Sequence, residues 1–238
     1  MQLREPAKSP GSYPLKQPFE IDKSCVLCLL PIRDDKWYDY SGHENHGTIC
    51  GASWVSKGRF GPALSFDGVD DYVDCGDIND VDGASEITVT AWVKWGGAAG
   101  GLTAAKEFHR KNNVYAFGGG WKDHKARFWI HDGTWKNSGD SITDIDDGNW
   151  YFIVGVYDGE YLRLYVDGVE ESNNYIGSTT LSANIEHVII GSSKGTGEFW
   201  NGIIDEVRIY NRALSEKEIR TLYYYGIQSL RHAPYMLK

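Results

Sequence analysis

The stretch that decides the fold is Gly202-Ile203-Ile204-Asp205-Glu206-Val207-Arg208-Ile209-Tyr210-Asn211-Arg212-Ala213-Leu214-Ser215. Side chains alternate between the two faces of a strand, so the segment predicts a strand with two distinct faces. One face would carry Ile203, Asp205, Val207 and Ile209, and the other Ile204, Glu206, Arg208 and Tyr210. Ser215, with Glu218 three residues later, predicts a capping box at the start of a helix. Gly226 suits the end of that helix.

Outward from this stretch, short alternating segments separated by turns fill most of the chain. Asp158-Gly159 joins Trp150–Tyr157 to Tyr161–Val166, and Asp167-Gly168 leads on to Val169. Asp-Gly between alternating segments is a strong hairpin signal. Residues 114–117 and 126–131 form a further expected pair. Many strands and a single helix predict an all-β fold, a two-sheet antiparallel jelly-roll sandwich with one short C-terminal helix.

Length and charge narrow the classes of protein that fit. The chain has 238 residues, which suits one large β-sandwich. The formal net charge of −9 argues against a nucleic-acid partner, because binding to a phosphate backbone needs a basic face. No apolar segment follows a basic N-terminus, and none approaches the ~20 apolar residues of a membrane span. We therefore expect no signal peptide and no membrane span.

The chain has four cysteines, at Cys25, Cys28, Cys50 and Cys75. Cys25 and Cys28 are three apart in an apolar segment and are expected to point to opposite faces of a strand, where they cannot share a metal without a turn. A zinc site usually needs a second close pair, which Cys50 and Cys75 do not form. We expect buried free thiols, with a disulfide as the alternative.

Residues 1–22 differ from the rest because Pro6, Pro10, Pro14 and Pro18 recur every four residues. Proline fixes φ and lacks a donor, so this segment is predicted to be an extended arm without a core of its own. Its apolar residues are expected to contact a neighbouring protein subunit, in an oligomer or a larger assembly. They are Leu3, Tyr13, Leu15, Phe19 and Ile21. Residues 23–226 are the expected jelly-roll domain, and residues 227–238 a C-terminal tail.

Five segments follow one another in the order found in laminin G-like domains. They are Asp39-Tyr-Ser-Gly42 with Asn45-His-Gly-Thr48, Gly58-Arg-Phe-Gly-Pro-Ala-Leu-Ser-Phe-Asp-Gly-Val-Asp-Asp-Tyr-Val73, Ile87-Thr-Val-Thr-Ala-Trp-Val93, the hairpin from Gly148 to Gly168, and Ile204-Asp-Glu206 through Leu214. Over about residues 25–225 the chain resembles the laminin G-like jelly rolls of the concanavalin A-like lectin/glucanase superfamily. The resemblance implies that fold, in a family that mostly binds and only sometimes catalyses.

The resemblance also implies a structural calcium ion between the early Asp-x-Ser-Gly loop and the closing strand. The residues at the matching positions are Asp39, Asn45 and Asp205. Calcium prefers oxygen ligands supplied by loops. The alternative is that Asp39 and Asn45 cap a turn and that Asp205 accepts backbone N–H bonds.

A carbohydrate-binding surface is expected around one strand. Arg127, Trp129 and His131 alternate onto a single face, and Trp121 and Trp135 lie in the flanking loops. Sugars bind to exposed aromatic faces beside polar groups. The alternative is that these tryptophans belong to the core, since large sandwiches bury many.

No catalytic residues are expected. A glucanase needs two carboxylates that face one cleft, and the adjacent Asp205 and Glu206 are predicted to point to opposite faces. Two functions then fit the sequence. The favoured one is a non-catalytic structural or assembly protein, such as a virion or surface decoration subunit, with a possible glycan-adhesive role. The alternative is a free carbohydrate-binding lectin module. The first would place the protein in a virion or assembled particle.

Overall fold

The fold is described from a computed structural model over residues 23–30, 35–97, 106–119 and 124–231, with backbone only for residues 225–231. These residues form sixteen strands, one α-helix and a short 3-10 helix at Asn79–Val81. In chain order the strands and the α-helix are β1 (Cys25–Leu29), β2 (Lys36–Trp37), β3 (Gly47–Cys50), β4 (Ser53–Val55), β5 (Ala63–Asp67), β6 (Tyr72–Asp74), β7 (Ile87–Trp95), β8 (Lys106–Lys111), β9 (Tyr115–Gly119), β10 (Lys125–His131), β11 (Trp135–Asp144), β12 (Trp150–Tyr157), β13 (Tyr161–Val166), β14 (Val169–Tyr175), β15 (Val188–Ile190), β16 (Asn201–Tyr210) and α1 (Glu216–Arg231).

Two antiparallel sheets of eight strands form the sandwich, which confirms the predicted fold class. The first sheet has the order β14-β13-β12-β7-β16-β5-β4, and β1 pairs with the end of β16 that β5 leaves free. The second sheet has the order β11-β10-β9-β8-β15-β6-β3-β2. The predicted pairs β9–β10, β12–β13 and β13–β14 are all present.

The closing strand β16 contains a bulge that reverses part of the predicted alternation. Glu206 has a φ of 47°, and the register with β7 shifts between Asp205 and Arg208. Ile204 therefore lies in the core together with Val207 and Ile209, although sequence analysis places it on the opposite face. An extra residue in one strand of a pair changes the face of every residue beyond it, and simple alternation does not anticipate this.

A second bulge lies in β1 and brings Cys25 and Cys28 to the same face. The register with β16 shifts between Cys25 and Leu27. Both cysteines pack outside the first sheet, whereas Val26 and Leu27 pack between the sheets. The prediction that the two thiols point to opposite faces is therefore wrong. All four cysteines are free thiols, and only Cys50 is not fully buried.

The main core lies between the inner faces of the two sheets. Phe117 and Phe128 of the second sheet meet Ile153 and Leu164 of the first. Gly155 on β12 faces the Phe128 ring so closely that a Cβ atom there would lie 2.4 Å from the ring Cγ. The aromatic ring fills the space that the missing side chain leaves, as close packing of the interior requires.

Helix α1 covers the outer face of the first sheet. Ile219 and Leu222 are buried in a second apolar cluster that also contains Trp92 and Phe152. The ring of Tyr223 stacks on Trp92, with centroids 5.7 Å apart. The helix thus buries the part of this face that surrounds Trp92 and Phe152.

The predicted capping box starts this helix. The Ser215 N–H donates to Glu218 Oε2 at 2.8 Å, and the Glu218 N–H donates to Ser215 Oγ at 3.4 Å. The helix does not end at Gly226 but continues to Arg231, into the predicted tail, because one interior glycine costs a helix only about 1 kcal/mol. No helix of the described residues has the length and apolar character needed to cross a membrane.

Side chains join the two sheets along one edge, where β11 and β14 lie side by side. Ser172 Oγ donates to the Ser138 carbonyl at 2.6 Å. Glu171 accepts bonds from the Thr143 hydroxyl at 2.6 Å and from the Thr143 N–H at 2.9 Å. These bonds occupy some of the backbone and side-chain polar groups that the two edge strands present to each other.

Candidate functional site

The outer face of the second sheet carries the aromatic residues that sequence analysis singles out. Ala126, Phe128 and Ile130 of β10 point into the core. Arg127, Trp129 and His131 alternate with them and therefore face outward. Trp129 is nevertheless only 8% exposed, because neighbouring side chains surround it on this face.

Trp129 and Trp135 line a cleft of about 350 Å³ on this outer face. We call it the aromatic cleft, and its six lining residues are Glu107, Arg110, Ala116, Trp129, Trp135 and Glu198. Trp135, at the start of β11, is 39% exposed and presents its ring to solvent. The small side chain of Ala116 leaves the space between the larger groups open. The site therefore combines aromatic walls with charged groups.

Two further predicted residues hold the tryptophans in place. The Arg127 guanidinium lies 5.5 Å from the Trp129 ring centre and hydrogen-bonds Asp140 through Nε at 2.7 Å. The His131 ring packs edge-on against Trp135, with centroids 5.0 Å apart. Arg127 and His131 thus support the cleft without lining it.

Other predicted residues fall outside the part of the chain that the structure describes. Trp121 lies in the undescribed segment 120–123. The arm residues Leu3, Tyr13, Leu15, Phe19 and Ile21 all lie in the undescribed residues 1–22. Their assignments stay predictions.

Arg110 is the centre of the charged groups in the aromatic cleft. Its NH1 lies 2.8 Å from Glu107 Oε1 and 3.8 Å from Glu198 Oε2. Its guanidinium carbon lies 5.0 Å from the Trp135 ring centre, within cation–π range. NH2 donates to Asn112 Oδ1 at 3.0 Å. These contacts fix the guanidinium between an aromatic wall and two carboxyl groups.

Glu107 is held in its protonated form near neutral pH. Its side chain is buried, with the residue only 1% exposed, and no N–H or O–H group among the described residues donates to Oε2. Burial raises the pKa of Glu107 to about 8; Arg110 opposes this rise, and the Glu198 carboxylate adds to it. With Glu107 protonated, the charges of Arg110 and Glu198 cancel, and the three groups carry no net charge.

The two carboxyl groups of the aromatic cleft share one cation. Glycosidases place two carboxyl groups roughly 5–9.5 Å apart, on either side of the bond to be cleaved. Here Glu107 and Glu198 both lie against Arg110 NH1, at 2.8 and 3.8 Å. The arrangement holds the Arg110 guanidinium in the wall of the cleft.

Sequence analysis missed Glu107, Arg110 and Glu198. The first two lie on β8, whose sequence Lys-Glu-Phe-His-Arg-Lys carries one apolar residue and does not read as a strand. The charged side chains of β8 have different partners on the two faces of the strand. Glu107 and Arg110 pair in the aromatic cleft, whereas Lys111 is buried and bonded to Asp77 and Asp82 at 2.7 and 2.8 Å. Glu198 follows β15 in a loop and has no local sequence signal.

The Asp39 carboxylate organises its own loop. It accepts hydrogen bonds from the N–H groups of Cys28, Ser41 and Asn45 and from the Ser41 hydroxyl, at 2.7–3.0 Å. The Asn45 side-chain amide donates to the Val26 carbonyl at 2.8 Å. Both residues thus act as turn caps, and their polar atoms face protein donors and acceptors.

Asp205 is engaged by a different loop. It accepts N–H bonds from Arg59, Phe60 and Glu206 at 2.9–3.3 Å. Burial raises its pKa to about 8, and the neighbouring Glu206 adds to the rise. Asp39 and Asp205 thus bond to different loops, and both accept backbone N–H bonds, as the alternative to a calcium site expects. Calcium binding stays a prediction, which a fall in melting temperature on adding a chelator would support.

One acidic group in the described residues has the spacing of metal ligands. Asp67, Asp70 and Asp71 each offer an oxygen within 4.8 Å of the others. Asp67 Oδ1 accepts the Val69 N–H at 2.8 Å, and Asp71 Oδ2 accepts the Asp67 N–H at 2.8 Å. These bonds are typical of a turn in which aspartates cap backbone groups.

Comparison with known families gives one match over more than half of the chain. The family model described as the concanavalin A-like lectin/glucanases superfamily matches residues 67–220. Curated protein sequences yield no significant match.

Solved structures of similar fold are binding domains with low sequence identity. The binding domain of Paraclostridial Mosquitocidal Protein 1 has a TM-score of 0.68 and 15% identity over 86% of this chain and 52% of that one. Domain 4 of AbnA, an extracellular arabinanase from Geobacillus stearothermophilus, has a TM-score of 0.68 and 19% identity over 84% and 98%. The binding domain of botulinum neurotoxin DC has a TM-score of 0.66 and 14% identity over 87% and 52%. The chain thus spans about half the length of the toxin domains.

Proposed function

Because the chain belongs to the concanavalin A-like lectin/glucanase superfamily, we propose that it binds carbohydrate in the aromatic cleft without cleaving it. The observation that carries the proposal is that two tryptophan rings line the same cleft as the guanidinium group of Arg110. Trp129 and Trp135 supply apolar faces, and Arg110 and Glu198 supply hydrogen-bonding groups. Sugar rings present both C–H faces and hydroxyl groups, so they suit such a site.

The similar structures support this class of ligand. The AbnA domain was solved with arabinotriose, and one botulinum neurotoxin structure concerns cell entry through two ganglioside molecules. Another toxin binding domain was solved with rat synaptotagmin II, so the fold also serves to bind proteins. The aromatic cleft favours the sugar, since its volume of about 350 Å³ lies at the small end of ligand pockets.

A glycan array followed by calorimetry tests the proposal. We expect binding of order millimolar, about −4 kcal/mol per site, for a short neutral oligosaccharide. Trp135→Ala should weaken it by about tenfold, because the stacking face is removed. Tyr175→Ala is the matched control, since Tyr175 is also an exposed aromatic residue but lies on the first sheet.

Trp129→Ala is a second variant, with its melting temperature measured because this side chain is mostly buried. Equal loss in Tyr175→Ala and Trp135→Ala would contradict the assignment of the cleft. Release of reducing ends from a bound oligosaccharide would contradict binding without cleavage.

We also propose an assembly role, as a subunit of a virion or other decorated surface. Its support is the composition of residues 1–22, which lie outside the described residues. The two roles are compatible, since a particle that carries many weak sites binds a glycan surface by avidity.

A further inference from the structure

A second cleft lies on the same outer face of the second sheet. It has a volume of about 390 Å³ and is mainly polar. We call it the polar cleft; its lining residues include Tyr72, Asp74, Asn112, His187, Ile189 and Lys194. His187 Nδ1 lies 2.9 Å from Asp74 Oδ1, so these two side chains form a fixed polar pair at its edge.

The strand registers place both clefts on one row across the sheet. Trp129 pairs with Ala116, Ala116 with Arg110, Arg110 with Ile189, and Ile189 with Asp74. Paired residues on neighbouring strands point to the same face, so the whole row faces outward with Trp129. Four strand spacings at roughly 4.8 Å separate its ends, which gives about 19 Å between Trp129 and Asp74.

The two clefts meet in the middle of this row. Arg110 lines the aromatic cleft and is paired with Ile189, which lines the polar cleft. Arg110 NH2 donates to Asn112 Oδ1 at 3.0 Å, and Asn112 lines the polar cleft as well. One guanidinium group therefore belongs to the wall that both clefts share.

The row carries charges of both signs, with a small acidic excess. Arg110, Lys194 and His187 lie close to the acidic residues Glu107, Glu198, Asp74 and Glu186. An acidic sugar would meet carboxylates in both clefts, whereas neutral hydroxyl groups find donors and acceptors throughout. The chemistry of the row thus suits a neutral polyhydroxylated ligand.

We infer that both clefts bind a single neutral glycan chain that crosses the strands from Trp129 to Asp74. This inference rests on the proposed carbohydrate-binding function and adds the length and charge of the ligand. A sugar ring in an extended chain spans about the same ~5 Å as one strand spacing, so roughly four rings fill the row. The ligand is then an internal segment of a polysaccharide rather than a single terminal sugar.

Calorimetry with arabino- and gluco-oligosaccharides of two to six rings tests the inference on the full chain. We expect affinity to rise by at least about tenfold between two and four rings and then to level off. The double variant His187→Ala, Lys194→Ala should abolish this gain and leave binding of the disaccharide unchanged. Both side chains are exposed, so the double variant is expected to fold. Lys57→Ala is the control, since Lys57 is also exposed but lies beside the first sheet, between β4 and β5.

The failures of the two proposals are distinguishable. If two-ring and six-ring ligands bind the unmodified protein equally, the polar cleft takes no part, and the inference fails while the binding function stands. If a sialylated oligosaccharide binds more tightly than the neutral series, the charge argument fails. If no oligosaccharide binds, both proposals fail together.

Discussion

Glu107 shows how a single buried side chain sets the character of the candidate site. It lies on β8, whose charged sequence does not predict a strand. Its neighbours in the aromatic cleft are Arg110, 3 positions away in the sequence, and Glu198, 91 positions away. Local pattern identifies the outward Trp129 because side chains alternate along β10. Trp135, which sequence analysis places in a flanking loop, is the first residue of β11. Local pattern does not identify the charged partners, because their proximity arises from pairing between distant segments.

The stability of the protein should depend on pH through Glu107. An acid with a raised pKa in the folded state keeps a proton that the unfolded chain has released. The free energy of unfolding therefore falls as pH rises from the ordinary value of 4.5 to about 8 and is level above that. Asp205, whose pKa is also raised to about 8, contributes a slope of the same sign. Glu107→Gln should therefore reduce the slope by the share that Glu107 contributes, roughly 1–4 kcal/mol across the window.

Urea unfolding at pH 5, 6.5 and 8 measures the effect. Glu160→Gln is the control, since Glu160 is exposed in the turn between β12 and β13. An identical slope in the unmodified protein and in Glu107→Gln would show that another group is responsible.

At the scale of the elements, regular strands were predictable and interrupted ones were not. The hairpins β12–β13 and β13–β14 follow from Asp-Gly turns, and α1 follows from its capping box. The bulges in β1 and β16 were missed because one extra residue leaves the apolar composition unchanged while it reverses the faces. Strands β8 and β11 were missed because their polar residues are matched by partners across the sheet.

The contact between β10 and β12 predicts a sharp cost for added volume. Gly155→Ala would place a methyl group 2.4 Å from the Phe128 ring, and we expect it to reduce stability by about 1–3 kcal/mol. Phe128→Leu in the same chain should recover part of that loss, so the two changes should be non-additive.

Gly197→Ala is the control for this experiment, because a Cβ atom there meets only the Ser193 hydroxyl at 4.0 Å. Chemical denaturation of the two single variants, the double variant and the control gives the coupling energy. If the losses of stability in the two single variants simply add in the double variant, the Phe128 ring is not the reason that position 155 needs glycine.

For the whole molecule, the family motifs predicted the sandwich and its closing helix, since they record turns and caps that any member needs. They did not predict the row from Trp129 to Asp74, which depends on how five strands pair in register. A fold is specified by local signals repeated along the chain, whereas a site on its surface is specified by what those signals bring together.

A truncation tests the predicted role of residues 1–22, which is to contact a neighbouring protein subunit in an assembly. Deleting residues 1–22 should leave the melting temperature nearly unchanged, because the described strands begin at Cys25 and pair with one another in the two sheets. The same deletion should abolish assembly, which light scattering or electron microscopy would measure. Full incorporation of the truncated chain into its native assembly would leave carbohydrate binding as the better account of the protein.

β1 and α1 lie on the side of the sandwich opposite the two clefts. We call the side of the first sheet the back of the molecule and the side of the second sheet its front. Both lie with the first sheet, β1 as a strand paired with β16 and α1 as the cover of its outer surface, whereas both clefts open on the second sheet. A tether coupled near either element therefore holds the molecule by its back. On a sensor chip, a bead or a particle, such molecules share one orientation, and the faces that carry the two clefts point outward together.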